Sequence, residues 1–180
     1  HDDCGKLGGY DKLFFVIWTT TIWTLPGNLA IALHPDESYA LVKAPNGEVY
    51  IMAEALTEKV MGIGGFASYE ILETHPGSFF ENMLADHPFL PKTSRLVVAD
   101  YVTMDSGTGC VHTAPGFGAD DYETCRRYGI DMVVPVDDQG RHTDYAGKYA
   151  GMKTEDSNPV ILNDMKESGA LFAQEDIVHS

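Results

Sequence analysis

The chain has 180 residues, 44% hydrophobic and 22% charged, the proportions of a soluble globular domain large enough to bury a core without disulfides. Twelve Lys and Arg stand against 27 Asp and Glu, a formal charge of −15, which repels phosphate and argues against tight duplex binding by this chain alone. No apolar run approaches the ~18 residues of a membrane-crossing helix, and Cys4, Cys110 and Cys125 form no CxxC pair, so neither a disulfide framework nor structural zinc is expected and a reducing cytoplasm fits.

The chain opens at His1 with no basic or apolar leader, and residues 1–180 are expected to form a single domain cut from a longer protein. Leu13–Trp18 is a β-rich run, and Leu29–His34 and Tyr39–Ala44 are short apolar strands. Pro45-Asn46-Gly47 then joins Tyr39–Ala44 to Glu48–Met52 as a hairpin, because Asn-Gly suits a turn that needs positive φ. Glu54–Met61 has helical spacing and should stop at Gly62, Gly64 and Gly65. Tyr69–Thr74 alternates as a strand, Pro76–Pro91 reads as an irregular aromatic excursion, and Leu96–Tyr101 as a buried strand.

Asp120–Tyr128 is a helix with acids first, Arg126 and Arg127 last, and Gly129 as its stop. Met132–Val136 is strand-like before the turn Asp137–Gly140. Asn158-Pro159 should open a helix to about Ser168, followed by closing strands at Leu171–Phe172 and Ile177–Val178. The expected fold is α+β, with a mainly antiparallel, partly closed, barrel-like sheet and short peripheral helices.

Two segments carry candidate chemistry. Trp18-Thr19-Thr20-Thr21-Ile22-Trp23-Thr24-Leu25-Pro26-Gly27-Asn28 sets four threonines and an asparagine after a strand. Threonine is a good strand residue and Pro-Gly-Asn a good turn, yet clustered hydroxyls also present donors and acceptors to a small ligand or water. The second segment, Gly107 to Tyr122, runs through Cys110, His112 and four glycines into a helix that begins with Asp120 and Asp121. A phosphate loop would not place two carboxylates there; a cation such as an ammonium would be favoured instead.

Other readings stay open on these residues. Cys110 and His112 are two apart, either a Cys–His nucleophile or a buried cysteine beside a hydrogen-bonded histidine. His112 with Asp120 or Asp121 and His142 has the chemistry of a metal set, without a recognised ligand spacing. His75, His87 and His142 read as surface or turn histidines, and Cys125 as structural.

Together, Thr19-Thr20-Thr21-Ile22-Trp23-Thr24-Leu25-Pro26-Gly27-Asn28 and Gly107-Thr108-Gly109-Cys110-Val111-His112-Thr113-Ala114-Pro115-Gly116 with Asp121-Tyr122 resemble the editing domain inserted in class I isoleucyl-tRNA synthetases. The likeness runs from about Phe14 to the C-terminus. Trp-Thr-Leu-Pro points to the isoleucyl branch, where valyl and leucyl relatives carry Arg-Pro. One departure is Ile22, where the family usually has proline; it removes no functional group.

The resemblance implies hydrolysis of the ester in valyl-tRNA(Ile), with the editing roles of the family carried onto matching residues. A pocket that accepts isoleucine gains only ~1–3 kcal/mol of discrimination from one methylene, a limit for which isoleucine against valine at this enzyme family is the standard illustration. A second, smaller sieve answers that limit. Asp121 would anchor the substrate ammonium, while Thr19, Thr20, Thr21 and Asn28 would position ester and water. His112 would shape the amino-acid pocket, with Gly109 and Ala114 beside it; Trp18 and Trp23 either wall the pocket or pack in the core.

The implied partners are the 3′ end of aminoacylated tRNA(Ile) and the remainder of the parent synthetase, with no membrane, no cofactor and no metal, and the domain a monomer. His-Ile-Gly-His and Lys-Met-Ser-Lys-Ser are absent, so the chain is expected to unmake aminoacyl-tRNA and not to make it. Rival readings are an idle insertion module that needs its parent to present tRNA, a metal-dependent hydrolase at His112 and Asp121, and an editor of threonyl-tRNA as in the valyl relatives.

Overall fold

A computed structural model describes residues 13–19, 22–87, 93–104, 107–114, 119–130 and 136–168. The N-terminal half builds one sheet from β1 (Leu13–Phe15), β3 (Ser38–Lys43), β4 (Val49–Ala53) and β5 (Glu70–Pro76), in the order β1-β4-β3-β5. Its centre is the Asn-Gly hairpin. Lys43 pairs with Val49, the Gly47 N–H reaches the Ala44 carbonyl at 3.0 Å, and Gly47 takes φ +86°, a conformation open to glycine at no steric cost. β3 and β4 are buried along most of their length, Tyr39 to Val42 and Val49 to Ala53. Their continuous apolar runs therefore match strands covered on both faces.

The second sheet comprises β2 (Ala30–Leu33), β6 (Leu84–Asp86), β7 (Thr93–Val98) and β8 (Cys110–Thr113), ordered β6-β7-β2-β8. β2 is parallel to β7, with Ala30 opposite Arg95, and antiparallel to β8, with Ile31 opposite His112. One core cluster joins the two sheets through Leu33, Tyr39, Leu41, Ile51, Leu96 and Cys110.

This architecture corrects the expectation of a partly closed barrel. Among the described residues there are two open four-stranded sheets, and neither closes on itself. Antiparallel pairs still predominate, but each sheet also holds one parallel pair, β1 with β4 and β2 with β7. Parallel neighbours need long crossovers, and the connecting chain carries β4 and β7 to inner positions of open sheets instead of around a ring. The α+β class with short helices stands.

Helix α1 (Thr57–Ile63) follows a 3₁₀ turn at Glu54–Leu56 and runs one residue past Gly62. The aromatic excursion contains a 3₁₀ turn, Gly77–Phe80, and the strand β6. β7 begins three residues before the expected Leu96 and ends before Tyr101. Helix α2 (Ala119–Arg127) lies where the acids and arginines placed it. Helix α3 (Thr154–Ser168) starts four residues before Asn158, leaving Pro159 inside it. The Asp156 and Ser157 N–H groups both reach Lys153 O, and the Ser157 hydroxyl donates to Thr154 O at 2.7 Å, so local bonds fix the start earlier than the proline implied.

Leu25 packs with Ala146, Tyr149 and Ile161, which seats α3 against the 3₁₀ turn Ile22–Gly27. The expected strands at 171–172 and 177–178, and residues 132–135, lie outside the described residues. No helix among the described residues is long and apolar enough to cross a membrane.

Candidate active site

At one end of the second sheet, three neighbouring strands each bring a polar side chain to one point. Ser94 lies on β7, Asn28 leads into β2, and His112 lies on β8. Asn28 is 4% exposed and Ser94 2%, so their polar atoms need protein partners. They have them. The Ser94 hydroxyl donates to Asn28 Oδ1, and Asn28 Nδ2 donates to Ala30 O at 3.0 Å and meets His112 Nδ1 at 2.6 Å. On the other side of the ring, His112 Nε2 lies 3.0 Å from Thr24 Oγ1.

These contacts decide the protonation pattern. Ala30 O can only accept, so the NH₂ end of the Asn28 amide must face it. That same NH₂ faces His112 Nδ1, which must then present a lone pair. A neutral ring with an unprotonated Nδ1 carries its hydrogen on Nε2 and donates it to Thr24. His112 is thus held by both nitrogens, from the β2 side by Asn28 and from the 3₁₀ turn by Thr24. Thr24, inside the threonine-rich segment, and Ser94, far from either motif, belong to this hydrogen-bonded cluster although nothing local in the sequence singles them out.

The glycine turn of the second motif is also tied to the chain just before the first. The Thr108 hydroxyl donates to Val16 O at 2.5 Å and Ala53 N–H to Thr108 O at 2.8 Å, which ties the chain before Thr19 to the turn before β8. Gly109 sits at φ +80°, and a Cβ there would lie 2.5 Å from Ala53 Cβ and 3.3 Å from the Tyr39 ring. Tyr39 donates its hydroxyl to Gly109 O at 2.5 Å, and burial pushes its phenol well above the usual tyrosine range. Trp18 runs past Gly107, is 48% exposed and stays outside the core. Trp23 and Thr19 are half-buried; Thr20 and Thr21 lie outside the described residues.

Asp121, in the first turn of α2, accepts the Ala114 N–H at 2.9 Å. Ala114 is buried two residues beyond His112, so this bond fastens the helix start to the end of β8. Burial raises the Asp121 carboxyl above its ordinary value; the Ala114 N–H opposes that shift and Asp120 adds to it. A half-buried carboxylate held at higher energy than in water gains from an incoming cation.

Cys110 is buried with its thiol pushed far up by desolvation, and its Sγ points to Ile51 O at 3.8 Å. It is not poised as a thiolate, and the His112 ring nitrogens meet Asn28 and Thr24 while this sulfur meets the Ile51 carbonyl. Cys125 is likewise buried, with its thiol raised to about 11 by burial and then by Asp121.

The surface reading of two histidines is corrected. His142 is 2% exposed and bonds Ser157 Oγ through Nε2 at 2.8 Å, while His87 is buried with Nε2 on Leu25 O at 2.8 Å. Long-range packing, not local composition, covered them. His75 stacks on Phe79, with ring centroids 3.8 Å apart, and pairs with Glu73. No three His, Cys, Asp or Glu side chains gather around a common point among the described residues. An open hollow of about 640 Å³ follows α2 between Asp100, Tyr101 and Arg126. Thr19, Asn28 and His112 do not line it.

Comparison with known proteins identifies the family. The family described as leucyl-tRNA synthetase, editing domain, matches residues 15–175. Similar curated proteins include isoleucine–tRNA ligase of Kosmotoga olearia, 53% identical over 93% of this chain and 18% of that protein. The Petrotoga mobilis enzyme of the same name is 49% identical over 97% of this chain and 19% of its own length. This chain therefore spans about a fifth of the length of these relatives.

Among solved structures, GlLeuRS-CP1 superposes with a TM-score of 0.69 at 16% identity, over 88% of this chain and 81% of that one. The Plasmodium falciparum cytosolic leucyl-tRNA synthetase editing domain gives 0.63 at 14%, over 88% and 78%. At such identities these structures share the fold. The chain belongs to the aminoacyl-tRNA synthetase editing-domain family, in the branch carried by isoleucine–tRNA ligases.

Proposed function

We propose that this chain is the editing unit of a longer isoleucyl-tRNA synthetase and hydrolyses the aminoacyl ester of valyl-tRNA(Ile), releasing valine and the free 3′ end of the tRNA. The observation that supports it most is the junction of the two motifs, where Asn28 and Thr24 hold the two nitrogens of His112. Segments about ninety positions apart in sequence are built into one constellation.

An aminoacyl ester is already activated, so the reaction needs a positioned water and a partner for the developing oxyanion, with no protein nucleophile. Asp121 takes the α-ammonium, which every aminoacyl ester carries and which relieves the cost of its half-buried charge. Thr19, Thr20 and Thr21 orient water and ester through hydroxyls that both donate and accept. His112 forms pocket wall beside Gly109 and Ala114, and Trp18 and Trp23 flank the threonine segment. Asn28 acts through His112, because both its amide hydrogens are already engaged.

With a charge of −15, the domain touches only the tRNA 3′ end, and the rest of the synthetase holds the tRNA body. The test is deacylation of valyl-tRNA(Ile) against isoleucyl-tRNA(Ile) and threonyl-tRNA, by the chain and by its full-length synthetase, with and without chelator. Selective, chelator-insensitive loss of the valyl ester is expected. Equal cleavage of valyl and isoleucyl esters, or loss of threonyl ester alone, overturns the assignment.

A further inference from the structure

We infer that Ser94 is a positioning residue of this site, setting through Asn28 which nitrogen of His112 carries the proton. An asparagine amide can present either end to a neighbour, and the two ends ask opposite things of an imidazole. With NH₂ toward the ring, Nδ1 must be bare; with the oxygen toward it, Nδ1 must carry hydrogen. Two contacts choose between them. The Ala30 carbonyl demands the NH₂ end, and the Ser94 hydroxyl, donating to Oδ1, holds the oxygen on the far side.

The strand order makes this possible. β7, β2 and β8 lie side by side, so Ser94, Asn28 and His112 form a row across three strands. The hydrogen bonds point one way along it, from the Ser94 hydroxyl to the Asn28 oxygen, from the Asn28 amide to Nδ1, and from Nε2–H to Thr24. Neither ring nitrogen is left to serve as a proton acceptor toward water in this arrangement. Ser94 thereby makes His112 a fixed, neutral wall.

The link from this wall to deacylation rests on the editing reading above; the proton placement does not. Long-range ¹H–¹⁵N spectra of ¹⁵N-histidine-labelled chain report which ring nitrogen is protonated, with the His112 signal identified by its loss in His112→Asn. The wild type is expected to show a single Nε2–H form. Ser94→Ala removes the contact on the Asn28 oxygen and leaves only the Ala30 carbonyl to orient the amide, so a share of the second tautomer should appear beside the first. Ser94→Cys keeps a γ atom in contact while donating weakly and should do the same, which separates a lost donor from a lost contact. Asn28→Asp offers only acceptors and should move the hydrogen to Nδ1.

A wild-type ring protonated on Nδ1, or a Ser94→Ala ring that keeps the single Nε2–H form, overturns the inference. In deacylation, Ser94→Ala should lower kcat for the valyl ester about tenfold with little change in KM, the scale of one buried hydrogen bond. Absence of wild-type deacylation alongside the expected spectra defeats the editing reading and leaves the positioning role standing. Unchanged spectra in Ser94→Ala with normal wild-type deacylation do the reverse.

Discussion

The two sheets share a plan and differ in what they bury. Each has four strands with one parallel and two antiparallel pairings. In the first, the buried interior of β3 and β4 is wholly hydrophobic apart from the Tyr39 and Tyr50 hydroxyls. In the second, the strand ends bury Asn28, Ser94 and Thr113, each with a hydrogen-bond partner. Apolar burial is non-directional and tolerant of small shifts, whereas a buried polar row works only when every member is satisfied. The first sheet thus supplies cohesion and the second supplies orientation.

If that division is right, substitutions in the two sheets should fail differently. The largest effect is expected from Leu41→Ala on β3, which empties a fully buried site. It should lose ~2–5 kcal/mol of stability, read as a lower urea midpoint, while the fraction still folded deacylates at the wild-type rate per molecule. A specific activity that falls with the midpoint would erase the distinction.

Asp121→Asn should behave in the opposite sense. Losing a charge-assisted contact of ~1.5–3 kcal/mol lowers kcat/KM for the valyl ester by about a hundredfold, with no loss of stability at neutral pH. The sign follows from the raised Asp121 carboxyl. The folded chain binds this proton more tightly than the unfolded chain, so stability declines as pH climbs from the unfolded value through the folded one. At neutral pH the whole of that penalty is present, and the asparagine removes it. A variant clearly less stable at pH 7 than wild type contradicts this account.

His112→Ala should open the sieve, with isoleucyl-tRNA(Ile) newly cleaved and selectivity reduced about tenfold, within the ~1–3 kcal/mol that one methylene commands. Unchanged selectivity removes His112 from the pocket wall.

The smallest effect concerns His142, whose pKa burial lowers. The unfolded chain takes up this proton first, so stability is lost as pH falls below the ordinary histidine value of ~6.5 and on through the lower folded one. His142→Gln should flatten that acid limb without touching the valyl-to-isoleucyl ratio measured at neutral pH. A slope unchanged in the variant assigns the acid sensitivity elsewhere.

What the sequence made legible was local. The Asn46-Gly47 turn fixed the β3–β4 hairpin because two flanking apolar runs and one glycine conformation suffice. The acids and arginines of α2 marked a helix through its dipole. The motifs named Thr19, Asn28, His112 and Asp121 together, and the structure brings Asn28 onto His112 and ties Asp121 to the strand that carries it.

What it hid depended on distant neighbours. A serine on a strand carries no mark, and Ser94 gains meaning only when β7 lies beside β2. Closure of a sheet is likewise decided by crossovers and not by strand patterns, so the barrel expectation had nothing local to correct it. His87 and His142 are polar residues in turn-like sequence that acquire their cover from the chain around Leu25 and from α3.

The parallel pairing of β2 with β7 also sets a timetable. Asn28 precedes Ser94 by 66 positions and His112 by 84, and β2 is the strand between them. During synthesis the all-apolar Ala30–Leu33 segment leaves the ribosome with both of its edges waiting for strands not yet made. At about 5–20 residues per second, a gap of 66 residues leaves it unpaired for roughly 3–13 s. The centre of the second sheet is therefore a segment that gains from a chaperone's cover during synthesis, and a truncation before β8 would leave an unpaired apolar strand edge as well as remove His112.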